Sequence, residues 1–172
     1  MTTWVILAGL PATGKSTLAH ALASRLNSVT LDKDRIRHAI FGEAFTDYTQ
    51  GQDDLVMRAM LDSARYLTER KRADFILFDG RTFSRSPQID AAIGAAETAG
   101  AAWRILHLSC SNKTAEERLE RESAKHPAKN RDMALYRRIE QSFEPIHHAK
   151  LDIDTTQGFE TKLDEILSYL HE

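Results

Sequence analysis

The segment Gly9-Leu10-Pro11-Ala12-Thr13-Gly14-Lys15-Ser16 constrains this chain more than any other, because it fits the pattern G-x-x-x-x-G-K-[ST] in the setting where that pattern has physical meaning. An apolar, β-favouring run at residues 4–8 precedes it. A stretch of helical period at residues 16–26, carrying Leu18, Ala19, Leu22, Ala23 and Leu26, follows it. Glycines let the backbone curl so that successive N–H groups point inward, and the helix N-terminus adds partial positive charge at the same place. Such a loop cradles phosphate groups. Lys15 supplies a mobile cation for the outer phosphates and the Ser16 hydroxyl a ligand for Mg²⁺. The expected ligand is a nucleoside triphosphate with Mg²⁺, held along Gly9, Pro11, Ala12, Thr13, Gly14, Lys15, Ser16 and Thr17.

The rest of the chain alternates in the same way. Short β-favouring runs recur at 28–31, 75–78, 103–108 and 151–153, separated by segments of helical period. Val56, Met60, Ser63, Ala64 and Leu67 mark a helix over 52–71, and Ala91, Ala92, Ala95, Ala96 and Ala99 mark another that Gly100 is placed to stop. Thr114-Ala115-Glu116-Glu117 has the form of a capping box, which predicts a helix start at Thr114. Leu163, Ile166, Leu167 and Leu170 form the apolar face of a last helix. Strands alternating with helices read as βαβ units, hence an α/β, three-layer sandwich around a five-stranded parallel sheet. Several of the runs are nearly continuous in apolar residues, as burial on both faces requires. At 172 residues a single domain over 1–172 is expected.

Composition excludes other classes. Lys plus Arg number 23 and Asp plus Glu 25, a formal charge of −2, which lacks the cationic excess of a nucleic-acid-coating protein. Cys110 is the single cysteine, so neither an intrachain disulfide nor a Cys-based zinc cage can form, and a buried, inert thiol is expected. His147-His148 and the remaining histidines match no metal-binding spacing, and no metal cluster is expected. The aromatics lack the regular spacing of a base-stacking platform. The apolar run at 4–10 is far short of a membrane span and has nothing basic before it, so a cytoplasmic protein without membrane contact is expected.

The triphosphate could serve a switch, a motor or a transferase. Asn112-Lys113-Thr114-Ala115 puts alanine where a guanine-reading carboxylate would stand, which removes the GTPase reading. Just after the second strand comes Asp32-Lys33-Asp34-Arg35-Ile36-Arg37. Asp34 and Arg37 share one face of a first helical turn at the sheet rim where open α/β proteins bind ligands. A carboxylate there can take the proton of an attacking hydroxyl while the guanidinium holds an anion. Equally, Asp32 can cap the helix with the other charges solvated. Asp79 ends the strand at 75–78, the place of the acidic residue that holds Mg²⁺ through water. Arg81 and Arg85 follow over the same rim.

In order along most of its length, the chain resembles the small P-loop kinases that include the 5′-kinase domain of polynucleotide kinase, adenylylsulfate kinase, chloramphenicol phosphotransferase and the zeta-toxin sugar-nucleotide kinases. The residues that carry the resemblance are Gly9 through Thr17, Asp34-x-x-Arg37, Phe78-Asp79-Gly80-Arg81-Thr82 with Arg85, and an arginine-bearing segment from Arg118 to Arg131. The resemblance implies an ATP- and Mg²⁺-dependent kinase fold with a helical lid over about 114–140. It gives Asp34 the role of general base and Arg37 that of acceptor contact. It places Asp79 on Mg²⁺ or on the acceptor; Arg81 and Arg85, by their place on the rim, can bind an acceptor anion or equally be a solvated loop. Arg118 and Arg121, with Lys125 on the same helical face, are the cations that close over the transition state, and Lys125, Pro127, Lys129, Asn130 and Arg131 form the mobile lid loop. Asp154-Thr155 lies where relatives pass the adenine. A small-molecule hydroxyl is the first expectation for the acceptor; a nucleic-acid 5′-hydroxyl is the alternative, and a non-kinase nucleotide switch or ATPase the other class.

Overall fold

Why the central strands are apolar without interruption is clear once both faces of the sheet are covered. In the computed structural model, which describes residues 1–122 and 132–172, Trp4, Ile6 and Ala8 of β1 (Thr3–Ala8) point to one face and Val5 and Leu7 to the other. β3 (Phe75–Asp79) repeats this with Ile76 and Phe78 against Phe75 and Leu77. Both strands lie inside a five-stranded sheet of order β2-β3-β1-β4-β5, with every pairing parallel. The edges are β2 (Ser28–Asp32) and β5 (Leu151–Asp154), where burial is patchier, and β4 (Ala102–Ser109) lies between β1 and β5.

One face of the sheet is covered by α3 (Gln50–Glu69) and α4 (Ser86–Thr98), which bring Val56, Met60 and Ala64 and Ile89, Ile93 and Ala96 onto it. The other is covered by α1 (Lys15–Ala23) and α7 (Leu163–His171), through Leu18, Leu22, Ile166 and Leu170. The three layers are those the sequence implies. The buried indole of Trp4 donates to Thr68 Oγ1 at 2.9 Å, so its one polar atom costs nothing by burial.

The remaining helices, α2 (Lys33–Phe41), α5 (Asn112–Glu122) and α6 (Met133–Gln141), gather over the C-terminal ends of the strands. Leu119, Ala115 and Tyr136 form a small apolar cluster there, against Leu10, Ala12 and Cys110. The start of α5 corrects the capping-box expectation. The helix begins two residues before Thr114, and Ser111 is the capping residue: its hydroxyl accepts from Thr114 N at 3.2 Å and its carbonyl from Ala115 N at 2.9 Å. Serine directly before Asn-Lys-Thr offered the same hydroxyl one turn earlier. No described helix is long and apolar enough to cross a membrane. Lys125, Pro127, Lys129, Asn130 and Arg131 lie outside the described residues.

Candidate active site

β1 delivers its loop to the C-terminal rim through Gly9, whose φ of +139° is open to glycine alone. A Cβ there would stand 2.2 Å from the Leu108 carbonyl oxygen, so the loop can leave β1 beside β4 only because no side chain intervenes. Thr13 is buried and turned into the loop, donating to Leu10 O at 2.8 Å. Lys15 is likewise folded inward, its ammonium on Gly9 O at 2.9 Å and Leu10 O at 2.6 Å. Pro11, Lys15, Ser16 and Asp79 line a cavity of about 150 Å³, to which Gly14 and Thr17 also contribute.

Asp79 is 2% exposed, and its Oδ1 has no hydrogen-bond partner among the described residues. A buried carboxylate oxygen without a donor is costly unless a cation satisfies it. With the Ser16 hydroxyl on the same cavity, the donor set is all oxygen and suits Mg²⁺.

Asp32 does cap α2, accepting from Asp34 N at 2.9 Å and Arg35 N at 3.1 Å. The other charges are not a solvated face. Arg37 is 2% exposed and lies on Asp34 at 2.9 Å. It also pairs with Asp53, in the first turn of α3, which in turn receives Lys33 Nζ at 3.3 Å. The guanidinium stacks 5.0 Å above the Tyr48 ring, and its buried Nε has no hydrogen-bond partner among the described residues. Asp34, Arg37, Asp53 and Gln88 line a cleft of about 220 Å³, to which Leu135 and Ile139 of α6 also contribute.

Cradle and cleft meet. Pro11, Gly80, Arg81 and Thr82 line both. Gly80, at φ +80°, passes so close to α2 that a Cβ would be 3.0 Å from Lys33 N, which brings the end of β3 against the Asp34 turn.

The arginines of the sequence reading divide. Arg81 is in the shared wall. Arg85, exposed at the N-cap of α4, lies on a neighbouring groove with Arg58 and not on the cleft. Arg118 is held by three contacts: Nη1 donates to Ala12 O at 3.1 Å and Thr155 Oγ1 at 3.1 Å, and Nη2 to Thr155 O at 2.6 Å. It fixes the loop at Ala12, whose φ is +60°, and borders a third cavity with Arg121, Thr17, Thr155 and Phe159. Neither Arg118 nor Arg121 borders the cleft between Lys15 and Asp34. Cys110 sits under the loop with Sγ 3.9 Å from Ala12 O, and burial pushes its thiol up, away from the reactive thiolate.

Sequence reasoning missed Lys33, Tyr48, Asp53 and Gln88. Lys33 stood in the quoted run without a role, and Asp53 sits where an acidic residue is ordinary helix-terminal chemistry. Gln88, whose buried Oε1 has no partner among the described residues, carries no local signal at all.

Comparison with known structures agrees with this architecture. The APS kinase of Mycobacterium tuberculosis, in complex with AMPPNP and APS, is 15% identical, with a TM-score of 0.64 over 99% of this chain and 98% of that one. A sugar kinase from Janibacter sp. HTCC2649 is 16% identical, with a TM-score of 0.71 over 99% and 95%. A gluconokinase from Sinorhizobium meliloti 1021 is 14% identical, with a TM-score of 0.67 over 98% and 91%. No curated protein matches the sequence significantly. A family model described as an AAA domain, AAA_33, matches residues 5–146. The chain therefore belongs to that AAA domain family, and its fold is that of the small P-loop kinases.

Proposed function

We propose that this protein is an ATP-dependent kinase that transfers the terminal phosphoryl group to a hydroxyl of a small-molecule acceptor. The observation that carries the reading is the shared wall: a phosphate cradle with Lys15 and Ser16 opens, across Gly80 and Arg81, directly onto a cleft with a carboxylate and a buried guanidinium.

The loop amides and the α1 N-terminus receive the phosphates, and Lys15 exchanges the Gly9 and Leu10 carbonyls for phosphate oxygens. Ser16 and Asp79 would hold Mg²⁺, which supplies charge neutralisation on the outer phosphates when bound. The donor base goes to the third cavity, beside Thr17, Arg118 and Thr155, with Arg121 at its edge. Asp34 takes the proton of the acceptor hydroxyl, and Arg37, fixed by Asp34 and Asp53, orients the acceptor through its unpartnered Nε. The Gln88 carbonyl oxygen accepts from a second donor group of the acceptor. A cleft of about 220 Å³ with two carboxylates in its wall suits a compact polar molecule better than a polyanion.

The test is acceptor-stimulated ADP release, screened over nucleosides, sugars, aminoglycosides, adenylylsulfate and 5′-hydroxyl oligonucleotides. Asp34→Asn is expected to lower transfer about 100- to 10,000-fold with nucleotide binding retained, and Lys15→Ala to lose both. Transfer at the wild-type rate in the two variants would overturn the reading.

A further inference from the structure

Among the described residues, the cations that line the cradle and the cleft are held by the protein, with one exception. Lys15 is on loop carbonyls, Arg37 on Asp34 and Asp53, Lys33 on Asp53, and Arg118 on Ala12 and Thr155. Arg81 is 9% exposed and makes no hydrogen bond or ion pair among the described residues. Of the charges acting on it, Asp54 steadies the guanidinium and Arg37 opposes it; burial, the largest influence, draws its pKa down from the usual arginine value. A guanidinium remains charged in a protein all the same. A buried, unpaired cation destabilises a fold, and an anionic ligand is what would reverse that cost.

Where Arg81 stands says which anion. It lines the cradle together with Lys15 and Asp79, the cleft together with Asp34 and Arg37, and the groove between α3 and α4. Donor and acceptor meet at that wall.

We propose that Arg81 is the catalytic cation that contacts the transferred phosphoryl group between donor and acceptor, a role the lid arginines were expected to fill. The proposal rests on the kinase reading of the site. In the step, the acceptor oxygen forms its bond to phosphorus as the bond to the bridging oxygen of the nucleoside diphosphate breaks, and that oxygen keeps the electron pair. The acceptor proton passes to the Asp34 carboxylate. Charge spreads over the equatorial oxygens of the phosphoryl group, and the planar fork of Arg81 is shaped to hold two of them.

Two variants test this on the intact protein, in ATP titrations and in ATP turnover with water and with the acceptor from the screen. Arg81→Ala is expected to bind ATP within about threefold of wild type while kcat falls about 100- to 1,000-fold. Added guanidinium ion should restore part of that rate in Arg81→Ala and none in wild type. Arg81→Met, which keeps the volume and removes the unpaired charge, is expected to melt above wild type with the same loss of kcat. Wild-type turnover in either variant overturns the proposal. So does a rate loss that guanidinium leaves untouched together with an Arg81→Met protein that melts below wild type, since both mark a structural arginine. Wild-type protein that binds ATP and turns over no acceptor sinks the kinase reading itself, and Arg81 with it.

Discussion

The cradle and the cleft of this site are built in opposite ways. The cradle is one contiguous segment, a strand end, a loop and a helix start, with its geometry set by Gly9 and Gly14 at positive φ. The cleft has no such segment. It is assembled from α2, the stretch before α3 and the first turn of α3, the β3–α4 loop and the first turn of α4, and α6, and it is held in shape by ion pairs that join residues up to 20 apart, as from Lys33 to Asp53. A contiguous site depends on local sterics and fails with one atom in the wrong place. An assembled site depends on the packing of distant elements and should fail by degrees.

The sharpest break is on the cradle side. Gly9→Ala places a Cβ 2.2 Å from the Leu108 carbonyl oxygen and 3.0 Å from Thr13 Oγ1, at a φ that alanine does not adopt. The first obstacle is backbone and cannot swing aside. The expected cost is about 2–5 kcal/mol of stability, from backbone strain and overpacking together. ATP binding should fall by more than about 100-fold, as a loss of about 2.7 kcal/mol in binding would give. Denaturant unfolding and ATP titration read the two effects. Wild-type ATP affinity would mean that the loop is not the cradle.

Asp53→Asn acts on the acceptor side and should be graded. It removes one carboxylate from both Lys33 and Arg37 but leaves Arg37 its contact with Asp34. Asp53 is 25% exposed and Arg37 only 2%, so water screens part of the loss. A destabilisation of about 1–2 kcal/mol is expected, with acceptor KM raised about tenfold (about 1.4 kcal/mol) and ATP affinity unchanged. If ATP affinity falls as far as acceptor affinity, the two sides are one cooperative unit and the contrast between them fails.

The same contrast explains what the sequence made legible. All five strands and the apolar faces of α1, α3, α4 and α7 could be read, because period and burial are local properties of a chain in a two-sided sheet, whereas α6 carried no reading of its own. The cradle could be read for the same reason. Asp34-x-x-Arg37 was legible as a pair since three residues of helix bring the two side chains together. Asp53 could not be attached to it, because nothing in residues 50–56 says that α3 will lie across α2. Arg118 shows the converse: its helical face was plain, but whether that face turns toward the phosphates or toward Thr155 depends on how α5 docks. In the structure it reaches both the loop, at Ala12, and Thr155.

The smallest effect concerns how the cleft is anchored. The first turn of α4, which carries Gln88, is tied to the chain after α6 through Glu144. Its carboxylate accepts from Ser86 N at 2.7 Å, and its own amide donates to Ser84 O at 2.9 Å. The Ser86 hydrogen bonds hold the Glu144 carboxyl below its ordinary value, and Arg85 adds to the effect. Because the folded pKa lies below the unfolded one, about 4.3, the tie contributes stability above that pH. Its contribution is lost as pH falls through the folded value. Glu144→Gln removes the titration and keeps an oxygen that can accept. Protection factors of the amides in the first turn of α4, taken against the intrinsic exchange rate at each pH, should therefore fall on acidification below about 4.3 more steeply in wild type than in Glu144→Gln. The amides of the α1 N-terminus should not follow the same curve. If they did, acid would be loosening cradle and cleft together, and the local tie at Ser86 would not be what separates them.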